Sequence, residues 1–178
     1  YKLPDELEEK IESLVLDGDT EGNLPIAGNI GTIFSSPSAL EEYINHIAAS
    51  TDVRFEGMKI AIDCANGSAS ATAEKLFSAL GAEIHMLHDQ PNGVNINENC
   101  GSTHMDSLSA MVVAGGYDLG MAFDGDADRM LAVDEKGNLI DGDQIMAIIG
   151  NHMKNNKTLK DDTIVATVIS NLWFFLMG

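Results

Sequence analysis

Basic side chains are scarce in this chain. Ten Lys and Arg stand against 28 Asp and Glu, a formal charge of -18, so nucleic acid or an anionic membrane would be repelled rather than steered in. Cations are the favoured partners, and an anionic substrate has to be held by a few aimed donors or by a bound metal. Cysteine is scarcer still. Cys64 and Cys100 lie far apart with no C-x-x-C pair, which suits reduced thiols in a cytoplasm and argues against a disulfide scaffold. With four prolines, 44% hydrophobic and 21% charged residues, the composition excludes a disordered or collagen-like chain and fits a globular one. Long apolar runs are missing too: 172–177 is far too short to span a bilayer, and no signal peptide is recognisable, so a membrane is not an expected partner. Neither an internal repeat nor a low-complexity segment is present. The start at Tyr1 and the apolar finish at Gly178 read as ends set by truncation.

What the chain does have is alternation. Residues 4–16 carry Leu7, Ile11, Leu14 and Val15 on one stripe, with Glu6, Glu8, Glu9 and Glu12 elsewhere, the pattern of an amphipathic helix with a solvated acidic face. The stretch 17–33 is loop-like, and Ser38 is placed to cap a helix through Ile47. From Gly57 the rhythm changes. A strand is predicted over 58–63, a turn at Asn66-Gly67-Ser68, a helix over 69–80 ended by Gly81, and a strand over 83–87, which together make a βαβ unit. A polar loop (88–103), a helix (105–114) stopped by Gly115-Gly116 and an apolar strand (119–123) follow. The turn Glu135-Lys136-Gly137-Asn138 then joins 130–134 to 139–140 as a hairpin. A helix over 142–153 and one more strand over 163–169 complete the reading. The fold class expected is α/β, a mixed, mainly parallel sheet with flanking helices, with ligands gathering at loops that follow the carboxyl ends of strands.

One such loop is Asp124-Gly125-Asp126-Ala127-Asp128-Arg129. Carboxylates at every second position, with only Gly and Ala between, can be aimed at one point by a curved backbone. Two like charges about 4 Å apart repel by roughly 4 kcal/mol at an effective dielectric near 20, so three carboxylates call for a cation. Magnesium, a hard ion that takes oxygen ligands and keeps positions for water or phosphate, is the natural occupant. Arg129 adds a planar donor beside it. A calcium EF-hand is disfavoured because its sixth loop position holds Arg129 instead of Gly and strands flank the loop. A haloacid-dehalogenase-type phosphatase stays open, with Asp124 as nucleophile and Asp126 as acid, although that motif usually continues with Thr or Val where Asp128 stands. So does a non-enzymatic acidic domain that binds a divalent ion structurally.

Other candidates are weaker. His104 is assigned to a loop hydrogen bond rather than to catalysis, and His46, His85, His88 and His152 lack mutual ligand spacing. Cys100 has no basic partner in the sequence that would activate it. The turn at Asn66-Gly67-Ser68 suits a helix cap or an anion at a helix N-terminus equally well.

The loop from Asp124 through Arg129 resembles the α-D-phosphohexomutase superfamily, whose metal loop is D-G-D-x-D-R. Asp63-Cys64-Ala65-Asn66-Gly67 and above all the stretch from Asn95 to His104 resemble its phosphoglucosamine mutase branch. The likeness continues through Asp141-Gly142-Asp143-Gln144-Ile145 and the stretch from Thr163 to Leu172, and the opening Tyr1-Lys2-Leu3 is similar to the segment after the family's serine loop. It implies that 1–56 is the tail of domain one with a linker, 57–137 a complete domain two with the metal loop, and 138–178 the start of a truncated domain three. In the family a phosphoserine in a T/S-A-S-H-N-P loop phosphorylates the sugar, and the bisphosphate reorients and returns the other phosphate. That motif does not occur in this sequence. The resemblance therefore implies that Asp124, Asp126 and Asp128 hold Mg2+ and that Arg129 supports them. It also implies that the parent converts glucosamine 6-phosphate to glucosamine 1-phosphate in the cytoplasm, supplying UDP-N-acetylglucosamine synthesis for the bacterial envelope, while this chain alone lacks activity. A phosphosugar substrate, a homodimeric parent and self-association of the fragment follow from the same likeness. Where the family commonly has Gly-Phe after Ser170-Asn171-Leu172, this chain has Trp173-Phe174, an atypical end.

Overall fold

A computed structural model describes residues 3–16 and 24–176. The chain divides into two units, 1–37 and 38–178. In the first, helix α1 (Asp5–Leu16) forms where the periodicity places it, with Leu7, Ile11, Leu14 and Val15 exposed. Among the described residues from 24 to 37, a 3-10 turn spans Ala27–Asn29; the loop expected over 17–33 lies partly outside the described residues.

The second unit opens with α2 (Ala39–Ala48). Ser38 occupies the cap position as expected, but its side chain makes no capping hydrogen bond because its own backbone is already helical. Strand β1 (Lys59–Asp63) leads through a 3-10 turn, Ser68–Ala71, into α3 (Ala73–Ala79). The helix predicted over 69–80 is thus broken at its first turn. Strand β2 (Glu83–Leu87), helix α4 (Asp106–Gly115) and strand β3 (Leu119–Phe123) follow. Gly116, left-handed at φ 64°, ends α4. Strands β4 (Met130–Asp134) and β5 (Leu139–Ile140) form the expected hairpin. Helix α5 (Gly142–Asn155) starts on a capping box in which Asp141 and Gln144 bond each other's backbone N–H. The short α6 spans Leu172–Phe175.

The five strands form one mixed sheet in the order β2-β1-β3-β4-β5. Strands β2, β1 and β3 run parallel, whereas β4 and β5 are antiparallel. Both faces of β1 are covered, in keeping with its central apolar run Ile60-Ala61-Ile62. Ile60 and Ile62 pack on Ala69 and Ala73 on the α3 side. Ala61 and Ala122 pack with Leu108, Val112 and Val133 on the α4 side. Burial of each such Ile or Leu contributes about 1.5–3 kcal/mol. Gly120 permits this close approach, since a Cβ there would lie 2.7 Å from Val112 Cγ2 and 3.2 Å from Val133 Cβ.

The strand predicted over 163–169 does not form. A strand exists through its ladder of backbone hydrogen bonds, and among the described residues this segment has no strand partner, leaving Val165, Val168 and Ile169 exposed. Among the described residues, no helix is long and apolar enough to cross a membrane.

Candidate metal centre

Because β1, β2 and β3 are parallel, their carboxyl ends share one edge of the sheet, and the loops that leave them meet there. Backbone hydrogen bonds lace the loops together. Asn66 N–H donates to the His88 carbonyl at 2.6 Å, Asn97 N–H to Ala65 at 2.9 Å, and Ser68 N–H to Gly125 at 2.9 Å. The approach is closest at Gly67, where a Cβ would collide with the Gly125 carbonyl oxygen, and at Gly125, where it would lie 2.6 Å from Ile96 Cδ1. A cleft of about 410 Å³ opens between the loops, lined by Asn66, Gly67, Ser68, Asn95, Gly125 and Asp126.

Asp124 to Arg129 is a six-residue reversal between β3 and β4. Ala127 N–H donates to the Asp124 carbonyl (3.1 Å) and Asp124 N–H to that of Arg129 (3.3 Å), with Ala127 left-handed at φ 58°. This curvature brings carboxylate oxygens of Asp124, Asp126 and Asp128 within 4.8 Å of one another. Asp124 is buried, whereas Asp126 and Asp128 are exposed. Arg129 clasps Asp124 twice: its backbone N–H donates to Oδ1 at 3.1 Å, and its Nε lies 2.7 Å from Oδ2. Oδ2 nevertheless receives no hydrogen bond, because proximity without an aligned N–H leaves a lone pair unspent. Burial pushes the Asp124 carboxyl upward, but the backbone N–H and the guanidinium of Arg129 outweigh it and hold the group below the usual carboxylate range. The guanidinium reaches Asp128 Oδ1 only at 3.4 Å. One arginine thus serves a loop of three carboxylates and pairs with two of them, Asp124 and Asp128.

The structure therefore brings together all four residues singled out in this loop. It also brings together Asp63, which the sequence reading did not single out as a site residue, with His88 and Cys100, which it ranked as weaker candidates. Asp63 ends β1 and is wholly buried; with Asp124 it is one of two buried charged side chains among the described residues. Its Oδ1 accepts the Ala65 N–H at 2.9 Å, and its Oδ2 lies 2.9 Å from His88 Nδ1. Cys100, fully buried, completes a triad whose ligand atoms lie within 4.8 Å of one another. His88 is thus tied to a buried carboxylate. Adjacent positions at the ends of paired parallel strands were the available signal, since Asp63 pairs with Leu87 and His88 comes next. Elsewhere, His104 Nδ1 meets the Thr103 side chain, Oγ1, at 3.1 Å, a local side-chain contact rather than the bond to backbone expected of it. Burial, then the charges of Asp63 and Asp89, push the Cys64 thiol up to about 12, so it is no nucleophile at neutral pH. The four-residue 3-10 turn at Ser68 is too short to serve as an anion-binding helix end.

A family model described as phosphoglucomutase/phosphomannomutase, alpha/beta/alpha domain II, matches residues 41–137. The phosphoglucosamine mutase of Acetivibrio thermocellus is 50% identical over 178 residues, all of this chain and 40% of that protein. That of Clostridium novyi is 51% identical over 172 residues, 97% of this chain and 38% of the relative. The chain thus spans about two fifths of the length of these relatives. Among solved structures, a phosphoglucomutase/phosphomannomutase family protein from Burkholderia thailandensis superposes with a TM-score of 0.63 at 25% identity, covering 87% of this chain and 33% of that one. Domain match and sheet topology agree, and the chain belongs to the phosphoglucomutase/phosphomannomutase family.

Proposed function

We propose that this chain supplies the magnesium-binding loop of a phosphoglucosamine mutase, which interconverts glucosamine 6-phosphate and glucosamine 1-phosphate through a phosphoserine and a bisphosphate intermediate. The observation that carries this reading is the convergence of the carboxylate oxygens of Asp124, Asp126 and Asp128 within 4.8 Å of one another. The donor set is oxygen only, which suits a hard divalent ion. Three carboxylates with one guanidinium beside them carry surplus negative charge that such an ion offsets. Magnesium bound there would supply Lewis-acid polarisation of a phosphoryl oxygen. The chain's own residues do the positioning. Asp124, buried and fixed by Arg129, anchors the loop, while Asp126 and Asp128 stand on its solvent side. Arg129, three-quarters exposed, keeps guanidinium surface free for a phosphate. Asp126 also lines the adjoining cleft, a site open to a phosphosugar.

The phosphatase reading is less favoured by the geometry, since the carboxylate it would use as nucleophile is the one clasped by Arg129. Titration calorimetry tests the proposal. Mg2+ uptake by the chain is expected to disappear when Asp124, Asp126 and Asp128 are all changed to Asn, and the same change should abolish mutase turnover in the full-length protein. Undiminished uptake would overturn the assignment. Magnesium-dependent hydrolysis of an aryl phosphate, lost in Asp124→Asn, would favour the phosphatase instead.

A further inference from the structure

The buried Asp63 carboxylate is the starting point. A buried carboxylate needs a polar partner, and Asp63 Oδ2 finds it 2.9 Å away in Nδ1 of His88, whose side chain is one-third exposed. Directly beside this pair lies the Cys100 sulfur, whose hydrogen bond, from Asn66 Nδ2, is a weak contact at 3.8 Å. Three donors of different chemistry, a carboxylate oxygen, an imidazole nitrogen and a sulfur, therefore converge where the loops leave β1 and β2. Their ligand atoms lie within 4.8 Å of one another.

We propose that Asp63, His88 and Cys100 form a second metal site, for a borderline-soft divalent ion of the zinc class, which staples the 88–103 loop to the end of β1. Mixed N, O and S donors select such an ion over magnesium, which takes oxygen ligands. Tetrahedral zinc with bonds of about 2.0 to 2.3 Å sets its ligands roughly 3.3 to 3.7 Å apart, so side-chain movements of about an ångström complete the site. His88 Nδ1 lies 2.9 Å from Asp63 Oδ2, and the ion displaces the hydrogen between them: that hydrogen is carried on Nε2 of the neutral imidazole instead, so this pair loses no net proton, while the Cys100 thiol releases one proton to solvent. The exposed edge of His88 is the entry path. The same ion would tighten the contacts of Ile96 and Asn97 on Gly125, although the site does not depend on the aspartate loop being a magnesium site.

The test is a cobalt(II) titration of the 178-residue chain with Mg2+ in large excess. Co2+ is expected to produce a thiolate-to-metal charge-transfer band that saturates at one equivalent and is displaced by Zn2+. The band should vanish in Cys100→Ser and survive in both Cys64→Ser and the triple Asp124, Asp126, Asp128→Asn variant. Absence of the band, its persistence in Cys100→Ser, or its loss with the triple variant would each overturn the proposal. Because Cys100→Ser can fail to fold, X-ray absorption on zinc-loaded wild-type chain provides a second reading. One sulfur at about 2.3 Å among N/O ligands is expected, and a shell without sulfur would overturn the site.

Discussion

Asp124 is held in its ionised form by the Arg129 backbone N–H and guanidinium. A carboxylate with a folded-state pKa below its unfolded value contributes stability above the unfolded pKa and loses it as pH falls through the folded one. The aspartate loop should therefore stay intact from neutral pH down to the ordinary carboxylate range near ~4 and loosen only below it. Asp134 behaves alike. Its carboxylate accepts from the Asn138 side chain (2.8 Å) and from the N–H groups of Asn138 (2.7 Å) and Lys136 (3.0 Å), and the Asn138 contacts lead in holding it below the usual range. Following the two loops by NMR through an acid titration should show both sets of shifts moving below the ordinary carboxylate range; movement near neutrality would contradict the assignment. Single changes separate the roles of the three aspartates. Asp126→Asn or Asp128→Asn should weaken Mg2+ binding by roughly tenfold or more while leaving the thermal transition in place. Asp124→Asn should weaken binding and lower that transition as well, because it also removes the partner of Arg129.

At the scale of the elements, the joint between the β1 and β3 loops governs the site. Gly67→Ala would drive its Cβ into the Gly125 carbonyl, so Mg2+ affinity should fall by about tenfold or more although residue 67 bears no ligand. Unchanged affinity in calorimetry would show that the loops give way. Deeper in the sheet, Leu108 is wholly buried against Ala61, Ala122 and Val133. Leu108→Ala should cost about 2–5 kcal/mol, read from urea unfolding. These elements differ in how plainly the sequence announces them. Strands β1 and β3 are apolar runs bounded by turn residues, and the D-G-D-A-D-R loop needs only its own six residues to be recognised. The Asp63, His88 and Cys100 cluster was not legible in that way, because its members are separated in sequence and joined by strand pairing and a loop return. The strand expected over 163–169 failed for a related reason: an apolar pattern specifies a face, but the ladder needs a partner. The break before α3 reflects the demands of the Ser68 link to Gly125, which local helix propensity does not encode.

The whole molecule combines two opposing tendencies. A charge of -18 keeps copies apart, while Val165, Val168 and Ile169 stand 88%, 98% and 90% exposed. Apolar surface of this kind favours self-association, and the repulsion that opposes it is screened within about 10 Å at 0.1 M salt and about 3 Å at 1 M. Light scattering should therefore report a larger mass for the isolated chain as salt is raised. A monodisperse monomer across that range would count against association. Finally, the bond from residue 68 to residue 125 uses main-chain atoms alone. The serine hydroxyl is dispensable to it, so exchanging that side chain for alanine should leave ion uptake untouched. The two neighbouring glycines, by contrast, are constrained by shape, and the centre tolerates change in chemistry at this joint far better than change in bulk.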